Sequence, residues 1–222
     1  MSRAPRRFVF WGGSGQAKVL AEIVTAAGDR VVAIFDNDTT RSSPLQGVPI
    51  HYGVGEFEKW MAGQRNPQSI SAISAIGGGH GQDRIEYLLL FKRLGLVTPS
   101  LIHETAYVSP DAVIGENSQI LAMSAVGTEV RMGDAVIANT SASIDHECDL
   151  DRGVHIGPGA TLCGCVHIGF NSFVGAGAVI LPRIKIGANV IVGAGSVVIH
   201  DLPDNVVAVG NPAKIIKENA YA

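Results

Sequence analysis

From Ile102 onward the chain repeats every six residues. Stepping by six gives Val108, Ile114, Ile120, Val126, Met132, Ala138, Ile144, Leu150, Ile156, Leu162, Ile168, Val174, Ile180, Ile186, Val192 and Val198, and every one is apolar. With 46% apolar residues overall, chance gives such a run on the order of once in 10⁵ sequences. The register ends at Asp204, just after Pro203. Gly follows the apolar residue at 115, 127, 133, 157, 169, 175, 187 and 193, and a small or β-branched residue lies four places on, as at Ser118, Val136, Ala142, Ala160 and Ser196. Six fits neither a helix nor a hairpin meander. It predicts a coil of short flat strands joined at corners, with Gly or Asn supplying positive φ. Each strand sends its apolar residue inward, and coils hydrogen-bond about 4.8 Å apart. Handedness and the number of sides do not follow from the period.

The residues before the repeat read differently. Residues 7–11 (RFVFW) predict a buried strand, followed by Gly12-Gly13-Ser14-Gly15-Gln16. A helix over 17–27 carries Val19, Leu20, Ile23 and Val24 at helical spacing and ends at Gly28. Strands are expected at 31–35, 70–76 and 97–102, with a second helix at 83–94 capped by Gly95. This alternation predicts a small parallel α/β sheet, one Rossmann-like half. The Gly-rich turn would point N–H groups from a helix N-terminus at a phosphate. Asp36, ending the second strand, would accept hydrogen bonds from a ribose or base. The spacing Gly13-Ser-Gly15-Gln-Ala-Lys18 departs from the dinucleotide fingerprint. The preferred ligand is a nucleotide-linked molecule lying across the strand ends.

Composition excludes several classes. Lys and Arg total 17 against 20 Asp and Glu, a net charge of −3, so no nucleic-acid footprint is present. No apolar run reaches membrane-helix length, and the residues after Met1 do not read as a secretory h-region. Three cysteines, Cys148, Cys163 and Cys165, suit a reducing, cytoplasmic setting. Cys148 falls at an inward small-residue position, which predicts packing.

Among seven histidines, His146 stands out. It lies two residues past the inward Ile144, so it should project outward or sit at an edge. Asp145 and Glu147 flank it, and a carboxylate can fix an imidazole's tautomer. Adjacent strand residues face opposite ways. Glu147 therefore reaches the ring only if the chain turns there; otherwise Asp145 or a neighbouring coil must orient it.

The hexads resemble those of the left-handed β-helix acyltransferases, which implies three hexads per triangular coil and a homotrimer. Residues 102–203 would then form between five and six coils, about 27 Å tall. The stretch NTSASIDHECDLDRGVHIGPGA resembles the active-site segment of nucleotide-linked amino-sugar N-acetyltransferases. The N-terminal Gly-Ser-Gly turn and Gly210-Asn-Pro-Ala-Lys214 are similar too. The resemblance implies a mixed fold: an α/β nucleotide-sugar domain at 1–101, the β-helix at 102–203, and an extension at 204–222. It implies His146 as general base with Glu147 as its partner. Asn139, His155, Ala176, Ala194 and Lys214 would meet acetyl-CoA, with no metal. Ser14, Gly15, Gln16, Asp36, Asn37 and Gly77 would meet the sugar nucleotide, Gln16 standing where the family usually has His. The chemistry expected is direct attack of an amine on the thioester, on a nucleotide-linked 4-amino-4,6-dideoxy sugar, with GDP-perosamine first.

His146 and His155 are nine residues apart, half of an 18-residue coil. On one chain they should lie roughly 15 Å or more apart, so a shared thioester requires different subunits and active sites between them. Three alternatives remain. A sialic-acid-type O-acetyltransferase would need a hydroxyl acceptor. A carbonic-anhydrase-like trimer would need three converging metal ligands, for which the His spacings offer no five-residue pair. A β-helix scaffold would need a repeating outward face, and no Thr or Asn ladder at 18-residue spacing is evident.

Overall fold

The computed structural model describes residues 4–219. The chain divides into two compact units, parting at Gly77/Gly78, Ile85/Glu86 and Leu101/Ile102.

In the first unit, β1 (Arg7–Trp11), α1 (Gly15–Ala26), β2 (Arg30–Asp36), β3 (Ile50–Tyr52), α2 (Val54–Ala62) and β4 (Ile70–Ser74) follow in order. The sheet runs β3-β2-β1-β4, all parallel. β1 and β4 are nearly all buried because both faces are covered, which is why they read as continuous apolar runs. α1 buries Ala17, Leu20, Ile23 and Val24. Val19, expected in that stripe, is 38% exposed, its place on the buried face being taken by Ala17. β3 and α2 carried no signal in the sequence. The strand expected over 97–102 is broken at Pro99, which has no N–H for a ladder: Val97 makes one bridge with Ser71, and Leu101–Ile102 forms a separate short strand. The second helix, α3, runs Gly81–Arg93, and Gly95 ends it at φ +75°.

The second unit is a left-handed parallel β-helix. Two-residue strands recur every six residues, from Tyr107–Val108 to Val197–Val198. Each pairs in parallel with the strand 18 residues on: Gln119, Ile137, His155, Phe173 and Ile191 stand in one column. Three sheets result, so the coil is triangular. The apolar column from Ile120 to Val198 is buried, as are the small residues between, Cys148 included. Ile102 is 47% exposed and Val108 and Ile114 pack only partly, because the first coil has a neighbour on one side alone. Val206–Gly210 extends the last coil's sheet and turns back along Ala213–Glu218.

The corners revise one expectation. Positive φ falls on Asn117, Met123, Glu129, Ala135, Ser141, Glu147, Cys165, Asn171, Arg183 and Asn189 as well as on glycines. The Gly after each apolar residue serves another purpose. A Cβ at Gly157 would lie 2.6 Å from Val174 O, and one at Gly115 2.4 Å from Gly133 C. These glycines let the next coil's backbone come close.

A short Asn ladder also exists, contrary to the expectation of none. Asn171 Nδ2 donates to Asn189 Oδ1 and Asn189 Nδ2 to Asn205 Oδ1, each at 2.9 Å. It is partly buried within one corner, so it offers no outward repeating face. Among the described residues, no helix is long and apolar enough to cross a membrane.

Candidate active site

His146 and Glu147 are the two residues of a corner following strand Ser143–Ile144. Glu147 takes φ +59°, and this turn brings side chains together that an extended strand would separate. Glu147 Oε2 accepts from His146 Nδ1 at 2.9 Å, so Nδ1 carries the proton and Nε2 keeps a free lone pair. Asp145 does not orient the ring; its Oδ1 accepts the His146 backbone N–H at 2.8 Å. Both side chains of the dyad are about half exposed.

The next coil supports the dyad. Cys165, 18 residues on, lies with Sγ 3.7 Å from Glu147 Oε2. The His146 hydrogen bond, then that of Cys165, hold the Glu147 carboxyl below the usual carboxylate range. Gly164 lies beneath the ring: a Cβ there would be 2.4 Å from His146 Cε1 and Nε2. Sequence reasoning misses both Gly164 and Cys165 for this site, although each lies one 18-residue turn beyond the dyad. Burial pushes the Cys148 thiol up to about 11, so it stays protonated and packs.

His146, Glu147 and Cys165 also place ligand-type atoms within 4.8 Å of one another. Two of these donors are already committed to each other, and a single imidazole differs from the three-His set of the metalloenzyme alternative.

His155 is buried, at 3% exposure. Its Nδ1 donates to Gly78 O at 3.0 Å, so its Nε2 accepts from Asn139 Nδ2, also at 3.0 Å. Asn139 Oδ1 takes the Thr140 N–H at 2.8 Å. Phe173 meets the imidazole edge-on at 5.0 Å. Burial, then the nearby Arg84 cation, push the His155 pKa down to about 3. Arg84 is wholly buried and donates to Ala135 O, Gly78 O and Gly153 O at 3.0, 3.2 and 2.6 Å. Gly78 O thus accepts from both Arg84 and His155. In this chain His155 is a neutral brace with both ring nitrogens engaged.

Asn139 and His155 therefore meet directly, while His146 occupies a different corner. Ala176 and Ala194 stack on Pro158 in the corner beside Asn139, in the column headed by its neighbour Thr140: Gly159 N–H bonds to Thr140 O, Gly177 N–H to Pro158 O and Gly195 N–H to Ala176 O, at 2.9, 2.8 and 2.9 Å; Pro158 and both alanines make up its outer edge. All three are exposed, giving this corner a smooth edge of small side chains. Lys214 is exposed on the C-terminal strand opposite Val209.

In the first unit, Gly12 adopts φ +111°, and a Cβ there would strike Ala75 O at 2.4 Å, so the turn requires glycine. Ser14 precedes α1 with its hydroxyl unused for capping. Asp36 clasps the turn: Oδ2 accepts the Gly13 N–H at 2.6 Å and Oδ1 that of Asp38 at 2.9 Å. The carboxylate expected to meet a ribose is thus engaged by its own backbone. Asn37 Nδ2 donates to Tyr87 OH at 2.8 Å, and Tyr87 stacks on Trp11 at 4.1 Å. Gln16 lies against Gly77, where a Cβ would be 3.4 Å from its Oε1. Gly13, Ser14 and Gly15 line a cavity of about 480 Å³ with Lys18, Thr40 and Arg41. Arg41 is held by Asp38 at 3.0 Å, and Lys18 beside the helix N-terminus suits a phosphate.

Residues 165–200 match the family model described as bacterial transferase hexapeptide (six repeats). The chain is similar to perosamine N-acetyltransferase PerB from Caulobacter crescentus, solved with CoA and GDP-perosamine: 36% identity, TM-score 0.86, covering 98% of this chain and 100% of that one. It is also similar to the acetyltransferase domain of PglB from Neisseria gonorrhoeae, solved with acetyl coenzyme A: 34% identity, TM-score 0.84, covering 96% and 100%. WeeI from Acinetobacter baumannii shares the fold at 23% identity and TM-score 0.83, over 94% and 99%. The chain belongs to the nucleotide-linked amino-sugar N-acetyltransferases of the left-handed β-helix group. It is an acetyl-CoA-dependent N-acetyltransferase.

Proposed function

We propose that this enzyme acetylates the 4-amine of a nucleotide-linked 4-amino-4,6-dideoxy sugar, GDP-perosamine first, with His146 as general base. The observation that carries the reading is the His146–Glu147 dyad, its Nδ1 proton fixed on the carboxylate and its Nε2 bare, in a chain 36% identical to a perosamine N-acetyltransferase. The amine nitrogen attacks the thioester carbonyl carbon while His146 Nε2 takes its proton. The C–S bond breaks, and the thiolate leaves with that proton. No acyl-enzyme is required, because a thioester is already activated.

The first unit holds the acceptor: Ser14, Gly15 and Lys18 at the start of α1 take the diphosphate, with Gln16, Asn37 and Gly77 nearby. The corner of Asn139, Ala176 and Ala194 takes the pantetheine arm, small side chains leaving it room. His146 sits at another corner, so one site draws on two subunits of a homotrimer. The faces of the prism support this. One sheet points Arg131, Asp149, His167 and Lys185 at solvent. Another points out uncharged Ala125, Ser143, Thr161, Val179 and Val197, all half-buried, which suits burial against a second copy. Three free cysteines fit a reducing cytoplasm.

The test supplies acetyl-CoA with GDP-, UDP- and dTDP-linked 4-amino sugars and follows CoA thiol release. Turnover with GDP-perosamine above the other acceptors supports the reading. Release with none of them, or only with a hydroxyl acceptor, removes it.

A further inference from the structure

The corner after Leu162 departs from the chain's own pattern. Elsewhere Gly often directly follows the apolar residue, but here the order is Leu162-Cys163-Gly164-Cys165, with glycine moved one place onto the corner. The residues stacked at that place in successive coils are Thr128, His146, Gly164 and Pro182, at 18-residue steps. Glycine occurs only in the coil that follows His146.

Its own backbone gives no reason for it. Gly164 is not among the positive-φ residues, so alanine would fit the local conformation. Space gives the reason. The point where a Cβ would sit is 2.4 Å from both Cε1 and Nε2 of His146 and 3.0 Å from Cδ2. The edge of the imidazole that carries Nε2 fills the volume of the missing side chain. The backbone on either side is pinned, Cys165 N–H to His146 O at 2.9 Å and Arg183 N–H to Gly164 O at 3.0 Å. A methyl group at 164 would therefore displace the ring rather than the coil. Rotating the ring away breaks its 2.9 Å contact with Glu147 and redirects Nε2.

We propose that Gly164 is a positioning residue for the acetyl transfer: its missing side chain is the socket that seats the His146 imidazole against Glu147. This rests on the reading of His146 as the base.

Gly164→Ala, His146→Ala and the double variant test it together. Gly164→Ala should retain the wild-type melting temperature and the KM for both substrates while kcat falls about 10²-fold, the cost of a misplaced catalytic group. In the His146→Ala background the second change should cost nothing further, since the socket is empty. Should Gly164→Ala fail to fold, the double variant should fold, because the vacated ring volume receives the methyl group. A Gly164→Ala enzyme within twofold of wild type, beside a crippled His146→Ala, overturns the socket and leaves the base in place. Losses that multiply in the double variant, or a double variant that also fails to fold, overturn it as well. A near-wild-type His146→Ala removes the base itself, and the socket with it.

Discussion

Asn139 and His155 face each other across successive coils, 3.0 Å apart, and the direction of that bond is set on the ring's other side. Gly78 O can only accept, so His155 Nδ1 bears the proton and the Asn139 amide must donate. His155 therefore works only in its neutral form. Folded, it stays unprotonated until about pH 3; unfolded, it takes a proton near its ordinary 6.5. Between those values the unfolded chain binds more protons. The contribution of His155 is complete above pH 6.5 and falls as the pH drops, by up to about 1.4 kcal/mol per pH unit. Wild type and His155→Gln, which cannot titrate, should converge in stability between pH 6.5 and 4.5 in urea melts. A constant gap would contradict the buried neutral ring.

Arg84 should matter to stability before it matters to chemistry. Arg84→Met removes the donor from Ala135 O, Gly78 O and Gly153 O, leaving buried acceptors without it. A loss of about 3 kcal/mol or more is expected, seen as a melting temperature lower by roughly 6–12 °C. An unchanged melting temperature would show that the guanidinium does not hold these turns.

Glu147→Gln keeps an acceptor for His146 Nδ1 but removes the charge that stabilises the protonated imidazole. The hydrogen bond loses its charge assistance, so kcat should fall about 10- to 100-fold with KM for acetyl-CoA unchanged. Asp145→Asn, which touches only the backbone N–H, should cost far less. Equal losses in the two would mean that Glu147 has no special place.

Lys18 and Arg41 border the cavity at the start of α1. Lys18→Ala should raise KM for the sugar nucleotide about tenfold and leave kcat and the KM for acetyl-CoA alone, the pattern of lost uniform binding. A change in kcat instead would move Lys18 out of the phosphate site.

Subunit mixing tests the shared site. His146→Ala and Asn139→Ala chains, each impaired alone, should on co-refolding recover about one quarter of wild-type activity if each site takes one residue from each of two subunits. No gain over the parents would place both residues in one chain's site.

The β-helix was legible because burial is periodic there: one inward residue in six leaves a pattern that survives any choice of outward residue. The first unit was legible where β1 and β4 are apolar throughout, and illegible at β3 and α2. Three partly buried residues make up β3, and α2 buries only Phe57 and Met61, too few positions to show a period. The flanking acids mark His146 in the sequence, but whether Glu147 or Asp145 orients it depends on a single φ angle. Gly164 and Cys165 carry no such mark, because their importance lies in what the coil beside them carries. Arg84 is hidden for a similar reason: its partners are carbonyl oxygens, which no side-chain pattern records.

The central claim is that His146 removes the proton from the attacking amine. Steady-state turnover of His146→Ala with acetyl-CoA and GDP-perosamine tests it most directly, provided the variant melts as wild type does. Its kcat should be lower by ~10²–10⁴; turnover close to wild type would remove His146 from the role of base.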